Sequence, residues 1–112
     1  MNDLRKIEIL KLMRKDLEYK KANHFIASMC DSLRRFYFSN QINLIEYNSM
    51  LSLIHESMLN KRTVFGYARD SDDYISIKVK TITDNIKYYW MFKINDFASR
   101  FKWIDKQIMS LS

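Results

Sequence analysis

Proline is absent from this 112-residue chain, and glycine and cysteine occur once each, as Gly66 and Cys30. Phosphate-cradling loops and strained nucleophile turns use glycine to bring backbone close to a ligand, so P-loop, dinucleotide-fold and Gly-x-Ser-x-Gly readings are excluded. A lone cysteine forms no internal disulfide, and one cysteine with two histidines leaves a structural zinc site short of ligands. No cofactor or metal is expected. Long apolar runs are missing too. The longest aromatic stretch, Tyr88 to Phe92, is bounded by lysines and falls well short of the roughly 18 to 20 residues of a membrane span. The opening Met1-Asn2-Asp3-Leu4-Arg5-Lys6 is followed by charges between apolar pairs, so no signal-peptide core is read there and a cytoplasmic location is expected.

What is present describes one compact domain over residues 1–112, with 47% apolar, 14% aromatic and 29% charged residues and a net charge of +6. Phe, Tyr, Met, Ile, Asn and Lys supply 54 of the 112 residues, whereas Gly, Ala, Arg and Pro supply 12. That bias follows A/T-rich codons and suggests a phage, mobile-element or low-GC source. Charge is +3 over residues 1–21, −1 over 22–60 and +4 over 61–112. There is no repeat, low-complexity tract or linker to mark a boundary.

Leu4, Ile7, Leu10, Met13 and Leu17 recur at helical steps, predicting an amphipathic helix from about Asp3 to Lys20 with a basic polar face. A second stripe, Ile26, Met29, Cys30, Leu33, Phe36 and Tyr37, keeps the same period. Residues 3–38 are thus one long helix, or two with a kink near Ala22 to His24. Asn43 and Glu46 form a capping box with Ile42 and Tyr47 as its staple, predicting a helix that ends near Asn60.

Beyond Lys61 the apolar period becomes two. Ile75, Ile77 and Val79 alternate with Ser76, Lys78 and Lys80, and a second alternation follows in Ile86, Tyr88, Trp90, Phe92 and Ile94. A two-residue turn at Asp84-Asn85 would set Val79 opposite Trp90, Ile77 opposite Phe92 and Ile75 opposite Ile94. A strand from Thr63 to Arg69, joined through the Asp70 to Asp73 loop, would complete a three-stranded antiparallel meander. A final helix starts near Asn95 or Asp96 and carries Phe97, Phe101, Ile104, Ile108 and Leu111. The expected class is α+β: two or three N-terminal helices, the meander, and a C-terminal helix.

The candidate binding surface is the sheet face of Lys78, Lys80, Lys87, Lys93 and Tyr89, where ammonium groups can neutralise phosphates and a ring can stack. Trp103, off the apolar stripe and flanked by Arg100 and Lys106, extends it as an exposed hot spot. The plain alternatives are a solvated lysine-rich outer face and a rim tryptophan. On this reading Trp103→Ala weakens partner binding by more than about 1 kcal/mol and leaves folding nearly intact. The helix 1 cations and Arg34-Arg35 read as solvated or cap-complementing groups. The Asp70, Asp72 and Asp73 loop lacks the glycine and distal glutamate of an EF-hand. His55-Glu56 and Cys30-Asp31 point apart on a helix and make no catalytic pair. A winged-helix reading fails because Asn43, Glu46, Asn48, Ser49 and Ser52 give the recognition helix no cation before Lys61.

These features fit a small non-catalytic binding protein. The expectation is a regulator or inhibitor of a host protein or nucleoprotein complex, of the phage anti-defence kind that includes anti-CRISPRs. The alternative is direct nucleic-acid binding through the lysine and tyrosine face. A homodimer seam along the first and last helices is a further option, and no membrane contact is expected.

Overall fold

The computed structural model describes residues 1–65, 74–80, 86–93 and 95–112, with the backbone alone at 60–65, 74–80, 86–87 and 90. Four helices, α1 (Asp3–Ala22), α2 (Met29–Phe38), α3 (Leu44–Phe65) and α4 (Phe97–Leu111), accompany one antiparallel ribbon of β1 (Tyr74–Lys80) and β2 (Ile86–Phe92). The protein is therefore mostly helical, and the expected α+β class with a three-stranded meander is incorrect. Thr63 to Phe65, assigned to a first strand, are the last residues of α3. β-branched Thr63 and Val64 favour a strand only weakly. Extending an existing helix fixes one residue per added hydrogen bond, and nothing before Gly66 interrupts it.

Residues 3–38 form two helices. α1 ends on Asn23, whose N–H reaches Tyr19 O, and His24 takes a positive φ of 58° that turns the chain. α2 then opens on a capping box, in which the Ser28 N–H donates to Asp31 Oδ2 at 2.9 Å and the Asp31 N–H returns to Ser28 Oγ. The break begins at the predicted kink, Ala22 to His24, and the second helix resumes at Met29. The capping box of α3 is as expected: the Glu46 N–H donates to Asn43 Oδ1 at 2.8 Å, and the Asn43 N–H to Glu46 Oε1 at 2.9 Å. Arg5 also binds Glu46, and with the Asn43 N–H it holds that carboxyl below its ordinary value. Asn43→Ala should destabilise the fold by about 1 kcal/mol, read as a lower midpoint in urea with an unchanged slope.

The core joins all four helices and β2. Leu10, Met13 and Leu17 of α1 meet Met29, Leu33 and Phe36 of α2, Met50, Leu51, Ile54 and Met58 of α3, and Met91, Phe92 and Ile104. α1 lies against α4, so the apolar stripes of the first and last helices serve the core of a single chain.

The ribbon pairs Ile75 with Met91, Ile77 with Tyr89, Val79 with Lys87 and Lys80 with Ile86. Val79 therefore faces Lys87 where Trp90 was expected, a register shift of three residues. Because three is odd, the expected face assignment is inverted. The run from Tyr88 to Phe92 is apolar at every position, so alternation alone does not decide which side packs. α3 decides it, because Tyr89 sits edge-on to His55 at 5.4 Å and is buried, while Tyr88 is exposed. The Asp84-Asn85 turn, Ile94, the Gly66 to Arg69 part of the expected strand and the Asp70 to Asp73 loop lie outside the described residues.

Candidate functional site

Of the residues expected to form an exposed surface, three are core. Tyr89 packs on α3, Trp103 is 6% exposed with its ring 6.3 Å from Phe92, and Arg100 is 1% exposed. α4 explains the last two. It is covered on two sides, by α1 against Phe101 and Asp105 and by β2 against Trp103, so a residue off the predicted stripe is still buried. Lys93 is half-buried and Lys106 exposed, and the side chains of Lys78, Lys80 and Lys87 lie outside the described residues. Among the described side chains of the predicted set, Lys106 alone is exposed.

A polar cluster that the sequence reading placed among solvated helix 1 charges lies inside instead. Met13, Leu17 and Lys20 fall at steps of four and three, so Lys20 takes the next position of the apolar stripe, and its side chain is 4% exposed. Its Nζ donates to Ser32 Oγ at 2.7 Å and lies 3.2 Å from Asp16 Oδ2. The same carboxylate oxygen accepts from Ser32 Oγ at 2.6 Å and from Arg35 at 2.6 Å. Burial pushes Asp16 up, but the hydrogen bonds from Arg35 and Ser32 and the Lys20 charge outweigh it and set its pKa below the ordinary value. For Lys20 burial wins over Asp16, and its pKa falls. This cluster clamps α1 to α2 across the connection between them.

That connection carries exposed apolar groups. Tyr19 and Phe25 stack at 5.9 Å with a 22° interplanar angle, and Ile26 stands beside Phe25 in the chain at 66% exposure. Their backbone is tied down: the Phe25 N–H donates to Lys20 O at 2.8 Å, and Arg100 Nη2 donates to Ala27 O at 2.8 Å. Ordered, exposed aromatic and aliphatic side chains of this kind mark contact surfaces.

A second feature is a cleft of about 470 Å³ between α3 and α4, lined by Ser57, Ser99, Lys102, Trp103, Lys106 and Gln107. Lys102 and Lys106 are one helical turn apart, a like-charge spacing that costs about 0.2 to 0.5 kcal/mol, and among the described residues neither has an acidic partner. The Trp103 Nε1–H is buried without an acceptor among the described residues, a state that costs about 1 to 3 kcal/mol.

Cys30 is buried with Sγ 3.7 Å from the Tyr47 hydroxyl, and burial raises both pKa values, the opposite of an activated thiolate. Among the described residues no three His, Cys, Asp or Glu side chains gather as a metal site would require, and no helix is long and apolar enough to cross a membrane. No family model, curated protein or solved structure matches the chain.

Proposed function

We propose that this is a small non-catalytic binding protein that acts by occupying a larger protein or nucleoprotein complex. A regulator or inhibitor encoded by a phage or mobile element, of the anti-defence type, is the kind of protein meant. The observation that carries the reading is the Tyr19, Phe25 and Ile26 group, exposed yet ordered by the hydrogen bonds of Lys20 and Arg100 to the surrounding backbone. A contact surface fixed before binding loses little conformational entropy on association, and aromatic anchors dominate interface energies. The excess of residues whose codons are A/T-rich supports the source, and a chain of this composition fits an intracellular location.

The test is capture from a candidate host by the full chain and by the double variant F25S/I26S. The wild type should retain a discrete partner at fixed stoichiometry. The variant should lose it by at least about tenfold, equivalent to 1.4 kcal/mol, while its thermal midpoint stays within a few degrees. Equal retention by the variant overturns the assignment of this surface.

Direct nucleic-acid binding is the second reading, favoured by Lys11, Lys15, Lys102 and Lys106, which are exposed and, among the described residues, without acidic partners. Fluorescence anisotropy against labelled single-stranded RNA and duplex DNA at roughly 50 and 200 mM salt separates the two. Phosphate contacts give binding that collapses at the higher salt, whereas an apolar interface is nearly indifferent to it.

A further inference from the structure

Trp103 holds a hydrogen-bond donor that none of the described core residues satisfies. The residue is 6% exposed, Nε1 has no acceptor among the described residues, and the residue lines the cleft between α3 and α4. Buried donors without partners are rare, and each points to a water, ion or ligand that completes the site. The same wall carries Lys102 and Lys106, one helical turn apart on α4, and among the described residues neither has an acidic partner. Ser57, Ser99 and Gln107 add polar groups, and none of the described lining residues is acidic. A volume of about 470 Å³ is that of a small-ligand site.

The geometry points to a binding site for a phosphate group in the α3–α4 cleft, with Lys102 and Lys106 supplying the counter-charge and the Trp103 indole N–H the directional donor. Charge count selects phosphate over carboxylate. Two ammonium groups match the roughly −1.5 to −2 of a phosphate ester at pH 7, whereas a carboxylate brings a single charge. Lysines act on phosphate as point charges and need no planar fork, which suits two flexible side chains around one fixed N–H. The anion would also relieve the repulsion between the two lysines. This site is separate from the apolar surface at the α1–α2 connection and stands or falls independently of it.

The experiment is a titration of the ¹⁵N-labelled full chain at constant ionic strength, following the Trp103 indole N–H by two-dimensional NMR. The signal is identified by its loss in W103F or its persistence in W90F. The probes are inorganic phosphate, adenosine monophosphate, adenosine and chloride. Phosphate and the nucleotide should shift the Trp103 signal saturably. K102A/K106A should weaken that response at least tenfold while keeping the wild-type backbone spectrum. A nucleotide that binds more tightly than phosphate assigns the phosphate to a nucleotide, and equal affinity assigns recognition to the phosphate alone. The inference is overturned if phosphate moves the Trp103 signal no more than chloride, if adenosine moves it as much as the nucleotide, or if K102A/K106A titrates like the wild type.

Discussion

Asp16→Asn should lower the free energy of unfolding by about 3 to 5 kcal/mol, because it leaves the Lys20 ammonium, 4% exposed, without its counter-charge. Against the 5 to 15 kcal/mol typical of a domain, such a loss places the variant near its unfolding threshold, and urea denaturation at pH 7 measures it directly. The companion variant Lys20→Met should cost less than about 1 kcal/mol or stabilise the protein. It removes a charge whose burial already outweighs its pairing, and Asp16 keeps Arg35 and Ser32. Equal losses in the two variants would show that the pair contributes as a unit, and that the burial cost of Lys20 is not what the fold carries.

Asp16 also sets a pH dependence. Its pKa is lower in the folded than in the unfolded chain, so its contribution is complete above the ordinary value of 3.8 and is lost as pH falls through the depressed folded value. Acid titration of the wild type should show this loss, and Asp16→Asn should lack it.

Trp103→Ala is the second large effect, and its direction departs from the sequence-based expectation. A side chain 6% exposed and packed on Phe92 should cost about 3 to 5 kcal/mol of stability when truncated to Ala, so a loss of partner binding in that variant would report unfolding. Trp103→Phe keeps most of the buried volume while removing the unsatisfied N–H, and it should cost distinctly less. Thermal melts of the two variants, read beside wild type, check both statements.

The helices were largely legible in the sequence. The stripe of α1, the Asn43-Glu46 box and the Asp96 cap of α4 are local signals, and local hydrogen bonds answer them. The start of α2 was legible too, in Ser28 and Asp31, but the unbroken apolar period across residues 26–37 masked it. What failed depended on partners distant in the chain. The ribbon register is set by which side of β2 meets α3, and a run apolar on both parities carries no information about that. Arg100 and Trp103 look like surface residues because a helix covered on two sides shows a wider apolar arc than a single stripe. Lys20 was the one readable exception, since it falls on the extension of the apolar stripe of α1.

The packing of α1 on α4 has a consequence for how the protein is made. Arg14 binds Asp105 and stacks over Phe101, and the hydrogen-bonded partners are 91 positions apart in sequence. Loop-closure entropy is set against this pairing before any contact offsets it. On a translating ribosome the flank of the first helix that meets α4 therefore stays uncovered until α4 has emerged. Chaperone engagement of nascent chains should persist until α4 is released, and removing α4 should leave a species that aggregates through the exposed flank of α1.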